Sequence, residues 1–156
     1  MPYQREKLPK GVVDTSVLVA GIAAFKSRGF GPLVSSARML REWINDRTFT
    51  WLINEEILDE YKIVLARRKV RPNLIGAVIS LIRSAAEEIP TATGHDISPD
   101  PFDEPFCTCA EEGNADFIVT LNPRHFPQER LKAHVISPDD PIPTTARTRP
   151  RPLRRP

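Results

Sequence analysis

The chain has 156 residues, 22 of them basic and 20 acidic, for a formal net charge of +2. That length suits one domain able to bury a core without disulfides, and no apolar run approaches the roughly 20 residues needed to cross a bilayer. The opening Met1-Pro2-Tyr3-Gln4-Arg5-Glu6-Lys7 lacks an apolar signal segment, so a cytoplasmic protein with no membrane partner is expected. Cys107 and Cys109 stand two apart within a predicted helix, point to different sides of it and are expected to stay reduced.

The charge is unevenly spread. Residues 141–156 carry Arg147, Arg149, Arg151, Arg154 and Arg155, five prolines and no acid. Without those arginines the rest of the chain holds 17 basic against 20 acidic side chains, a mildly acidic body. The organisation expected is an N-terminal arm over 1–10, a folded domain over 11–137 and a Pro/Arg-rich disordered tail over 138–156. Such a tail can hold RNA phosphates without sequence preference, or simply keep the surface solvated.

The first predicted strand is Gly11–Asp14, apolar until its terminal acid, as a central parallel strand should be. A glycine-rich loop is expected next, through Gly21, Gly29 and Gly31. Residues 32–46 predict an amphipathic helix with Leu33, Ala37, Leu40 and Ile44 inward. Thr48–Ile53 reads as a strand rich in β-branched and aromatic residues. Asn54 is a ready cap for a helix over 55–68, whose first-turn glutamates suit the helix dipole.

Pro72 opens a further helix to about residue 88, and a short strand is expected over 89–93. A loop holding Pro99 and Pro101 precedes a helix over 104–112, which stops at Gly113-Asn114 in a left-handed turn. Phe117–Thr120 and Ala133–Ser137 are the last strands. Strands that alternate with helices predict a three-layer α/β/α fold around a doubly wound parallel sheet.

The acids sit at the ends of these elements. In doubly wound sheets ligands gather outside the carboxyl ends of the strands. Asp14 and Asn122 follow strands on that rim, and Asp103 and Glu60 lie in or before helices that start near it. In the helix after Asn54 the inward stripe is Ile57, Tyr61, Val64 and Leu65; Glu60 lies on its edge, while Glu56 and Asp59 point away. Carboxylates that meet in this way suit a hard divalent cation. Each residue also has a plainer reading: Asp14 as a turn former, Asp103 as a helix N-cap, and Asp116 as a structural acid at the far end of its strand.

Four segments carry a resemblance. Val12-Val13-Asp14-Thr15-Ser16-Val17-Leu18, the Glu60-Tyr61 pair, Asp100-Pro101-Phe102-Asp103 before a helix, and Ala115-Asp116-Phe117-Ile118-Val119-Thr120-Leu121-Asn122 resemble the PIN domain, especially the VapC-like toxins of prokaryotic toxin–antitoxin pairs. The resemblance covers roughly residues 11–137. It implies an endoribonuclease dependent on Mg²⁺ or Mn²⁺, with Asp14, Glu60 and Asp103 as acidic ligands and catalytic residues. It also implies Ser16 and Thr120 as pocket support, Asn122 where many relatives carry a fourth acid, and Glu104 as a weaker ligand able to restore that charge. One cation is the expectation, given the missing carboxylate. A small antitoxin partner and a homodimer are likewise implied.

The densest basic run of the body, Arg67, Arg68, Lys69 and Arg71, is either a solvated helix end or a rim for RNA, as is Arg124. His95, His125 and His134 fall in loops or at element ends and read as surface residues, with His125 and Arg124 near enough to the rim to touch phosphate. A phospho-acceptor module would need an acidic pair after strand one and a lysine after the last strand. A haloacid-dehalogenase-type phosphatase would need an aspartate where Ser16 stands. A catalytically degenerate module that binds RNA or a partner remains the alternative, on the strength of Asn122 and Glu104.

Overall fold

The computed structural model describes residues 8–26, 34–90 and 96–143. Five short strands, β1 (Lys10–Val13), β2 (Thr50–Ile53), β3 (Glu87–Glu88), β4 (Phe117–Val119) and β5 (His134–Ile136), form one sheet in the order β3-β2-β1-β4-β5. Every pairing is parallel. Five helices link them: α1 (Thr15–Lys26), α2 (Ser35–Asp46), α3 (Glu55–Arg67), α4 (Pro72–Ala85) and α5 (Glu104–Glu112). Single 3-10 turns at Pro123–His125 and Gln128–Arg130 lead into β5.

The sheet is covered on both faces, as its apolar central strands require. Side chains alternate along β2. Trp51 packs edge-on against Trp43 of α2, with ring centroids 4.8 Å apart, and against Tyr61 of α3. Its neighbour Leu52 lies against the end of α5, where a Cβ on Gly113 would come within 2.8 Å of it. Three layers follow: helices, sheet, helices. The fully buried aromatic side chains of Trp43, Phe49, Trp51, Tyr61, Phe106 and Phe117 form much of the core; truncating one to alanine would cost about 3–5 kcal/mol.

Local signals account for most boundaries. Asn54 caps α3, its side chain accepting the Ile57 N–H at 2.8 Å, and Pro72 sits in the first turn of α4. The structure differs from the sequence reading at Ile44, expected inward on α2 but 44% exposed, and in three larger features. Where a glycine-rich loop was expected, residues 15–26 form α1, an apolar helix wedged against α2 and α3. Gly21 is there for closeness: a Cβ at that position would lie 2.3 Å from Leu40 Cδ1. Gly29, Gly31 and residues 32–33 lie outside the described residues.

Second, α4 ends at Ala85 and β3 is Glu87–Glu88, not 89–93; residues 91–93 and His95 are not among those described. The strand is short and its side chains are exposed, so it shows no apolar run to find. Third, the turn after α5 is left-handed at Asn114 (φ 51°), while Gly113 keeps φ −86° and serves close packing on Leu52. Of the arm expected over 1–10 and the tail expected over 138–156, residues 1–7 and 144–156 lie outside the described residues, whereas Lys10 belongs to β1 and Ile142 packs against the core; no described helix is long and apolar enough to cross a membrane.

Candidate metal centre

The strand order reverses at β1. From there the chain first builds outward through β2 and β3, then returns to add β4 on the other side. The carboxyl ends of β1 and β4 are therefore neighbours, and the Asp14 N–H donates to the Val119 carbonyl at 2.9 Å. A crevice at this position follows from topology.

Asp14 is 3% exposed. Its Oδ2 accepts from Ser16 Oγ at 2.6 Å and from Thr120 Oγ1 at 2.7 Å. Each hydroxyl in turn accepts a backbone N–H, Ser16 from Leu121 at 3.1 Å and Thr120 from Asn122 at 2.9 Å. Both hydroxyl protons are thereby directed at the carboxylate, which satisfies one of its oxygens and fixes its plane.

Glu60 comes from α3. The next residue, Tyr61, donates its hydroxyl to the Val13 carbonyl, immediately before Asp14, and accepts from Trp51 Nε1 at 3.3 Å. Two hydrogen bonds at one hydroxyl thus lock the helix to β1 and β2. Burial holds the Tyr61 phenol well above its ordinary pKa, so it remains a donor. Burial also raises the pKa of the Glu60 carboxyl; Arg67 opposes that rise, and the charges of Asp14 and Asp100 add to it.

Asp103 precedes α5, yet its side chain makes no capping hydrogen bond. Its Oδ2 instead lies 2.6 Å from Nδ1 of His125, and Asp100 Oδ2 lies 3.8 Å from the same nitrogen. Burial, then repulsion from Asp14, pushes the Asp103 carboxyl up to about 6, with His125 pulling the other way. Carboxyls raised by their neighbours mark a place where negative charge is crowded.

Asp14, Ser16, Glu60, Asp100, Asp103, Asn122 and His125 all line one cleft of about 730 Å³. Thr15 lines it too. Arg68 reaches its wall; Arg67 is felt at Glu60, whereas Lys69 and Arg71 occupy the exposed turn between α3 and α4 and do not line the cleft. Arg124 is exposed on the 3-10 turn. Glu104 is engaged elsewhere, its carboxylate accepting the N–H groups of Ile97 and Ser98 at 2.7–2.9 Å, where it ties down the preceding loop.

Sequence reasoning gave Asp100 no role of its own and read His125 as a surface residue able to touch phosphate, not as a neighbour of Asp103. The signal available was period three: Asp100 and Asp103 are three apart in a turn, and His125 follows Asn122 by three across a Pro-initiated 3-10 turn. Cys107 and Cys109 are buried free thiols of α5. Burial, with nearby acids, raises each to about 12, so both stay protonated.

A divalent cation fits this donor set. Four carboxylates and an amide line one cleft, where burial raises two of the acids and the neighbouring charges add to the rise, and hard oxygen donors are what Mg²⁺ and Mn²⁺ take.

A PIN domain family model matches residues 10–124. In structure the chain is similar to VapBC2 from Rickettsia felis, solved bound to a DNA fragment from the promoter, with a TM-score of 0.51 and 14% identity over 82% of this chain and 98% of that one. That likeness is one of fold. No curated protein matches the chain in sequence.

Proposed function

Because the chain belongs to the PIN domain family, we propose that it is a metal-dependent endoribonuclease, the toxin of a toxin–antitoxin pair, working in the cytoplasm. The observation that carries this reading is the meeting of Asp14, Glu60 and Asp103 in one cleft at the switch point of the sheet. A chain of the Rickettsia felis VapBC2 structure, bound to a DNA fragment from the promoter, shares this fold, and that likeness supports a small antitoxin partner here. A homodimer is part of the same proposal.

Asp14, Glu60 and Asp103 would hold Mg²⁺ or Mn²⁺, with Asn122 as a neutral fourth donor; Glu104, committed to the 97–98 loop, contributes to the loop rather than the cation. When bound, the cation acidifies a water and offsets charge on the phosphodiester. The chain's own part is to place oxygens. Ser16 and Thr120 fix Asp14, Tyr61 fixes the helix that carries Glu60, and Arg68 offers the cleft a positive charge for phosphate. The basic run at 67–71, with Arg124, gives the RNA a rim to lie on.

The test is cleavage of a mixed RNA pool by the purified full chain in Mg²⁺, Mn²⁺ or EDTA, beside Asp14→Asn. Metal-dependent cutting that disappears in the variant supports the nuclease. Binding of RNA without cutting in every metal favours the degenerate module that neutral Asn122 suggests, and cutting that survives Asp14→Asn moves the site elsewhere.

A further inference from the structure

Asp100, Asp103 and His125 offer two carboxylate oxygens and an imidazole nitrogen that all lie within 4.8 Å of one another. They come from two separate segments, the loop before α5 and the turn after β4. The loops are tied together independently of these side chains, since Ser98 Oγ donates to the His125 carbonyl at 2.7 Å. A hydrogen bond joins Nδ1 to Asp103 Oδ2; a cation bridging those two atoms would replace its single proton. Ligand atoms around a metal at about 2.1 Å sit roughly 3–4 Å apart; Asp100 Oδ2 is 3.8 Å from Nδ1, and the 2.6 Å contact to Asp103 would open by less than an ångström when a cation takes the proton's place.

A separate observation points into the same cleft. Thr15 is 7% exposed, lines the cleft, and its Oγ1 has no hydrogen-bond partner. A buried hydroxyl with nothing to bond is costly, and a small shift of the cleft wall would bring it to a water carried by a cation. The cleft is built for more than the Asp14 hydroxyl cage.

We propose that His125 is a direct nitrogen ligand of the cleft's cation, with Asp100 beside it, so that the site binds transition ions, Mn²⁺ among them, more tightly than Mg²⁺. This rests on the reading of the cleft as a cation site, and deepens it by naming the donor. The chemistry is the donor's: imidazole adds most affinity for Co²⁺ or Zn²⁺, less for the harder Mn²⁺ and least for Mg²⁺, which favours oxygen and gives up its waters reluctantly. The turn after β4 supplies a neutral amide at Asn122 and then, one 3-10 turn later, this nitrogen. A site of oxygens alone would not discriminate in the same way.

The test uses the full chain and Mn²⁺ alone, with no RNA. Pulsed electron paramagnetic resonance on the Mn²⁺-loaded protein should show coupling to a directly bound ¹⁴N nucleus. The coupling should vanish in His125→Gln, while Mn²⁺ still binds on the order of tenfold more weakly. Mg²⁺ affinity, read by competition against Mn²⁺, should change little.

Bound Mn²⁺ without nitrogen coupling in the wild-type chain would overturn the proposal and leave the oxygen-only nuclease standing. Equal losses of Mg²⁺ and Mn²⁺ affinity in His125→Gln would also overturn it, reducing His125 to a residue that positions Asp103. Failure of both ions to bind the wild-type chain would overturn this proposal and the functional reading beneath it.

Discussion

Two buried aspartates stand at opposite ends of the same pair of strands. Asp14 ends β1 and Asp116 opens β4; they are 3% and 7% exposed. Asp116 accepts the Lys10 backbone N–H at 2.9 Å, closing the amino end of the β1–β4 ladder. Asp14 is held by two side-chain hydroxyls at the carboxyl end and looks into a cleft shared with Glu60, Asp100 and Asp103. Burial does not distinguish them. What differs is the company: Asp116 spends its charge on a backbone amide of the ladder, whereas Asp14 is fixed from one side and shares the other with further acids.

The contrast is broken or sharpened most strongly at Asp14. Asp14→Asn keeps the hydrogen-bonding shape but removes a ligand charge, so RNA cleavage should fall roughly a hundredfold or more. Thermal stability should stay within about 1 kcal/mol, because charge crowding with Glu60 and Asp103 is relieved. Thr120→Val removes one hydroxyl from the Asp14 cage and should weaken Mn²⁺ binding by about 10- to 100-fold in a titration.

At the other end of the sheet the expected loss is in stability alone. Asp116→Ala strands the Lys10 N–H and should cost about 1–3 kcal/mol, read as a lower melting temperature. Cleavage per folded molecule should be unchanged, and a loss there would break the division of labour between the two ends. The smallest effect is with pH. The Asp103 carboxyl is raised to about 6, above the ordinary range of an aspartate, so the folded chain takes up a proton that the unfolded chain does not until lower pH. In EDTA, this group therefore adds stability as pH falls from 7 towards 4, while metal affinity declines through the same window because ligands must be ionised. Asp103→Asn should remove both trends, which calorimetry in EDTA and Mn²⁺ titrations at two pH values would show.

How legible this was from sequence depends on whether the cause was local. β1, β2 and β4 are runs of apolar residues because they are buried in the sheet, and α5 ends where Gly113-Asn114 ends it. The acids of the rim could be placed because chain direction in a parallel sheet decides which end they reach. α1 was not legible. Gly21 looks like a loop former from its own conformational freedom, and only the approach of Leu40 explains it. The Asp100–Asp103–His125 group was hidden for the same reason: the histidine is 22 residues from Asp103, across α5 and β4, and nothing local announces the meeting.

The hydrogen bond from Thr120 to Asp14 spans 106 positions of the chain. During synthesis the first acid of the site leaves the ribosome with neither its second hydroxyl donor nor the strand that supports it. β4 pairs with β1 only when residues 117–119 have emerged, and β5 completes the sheet later still, at 134–136. The cleft is therefore assembled only after β4 has emerged, and a growing chain carries its first acids for about a hundred residues without carrying the site.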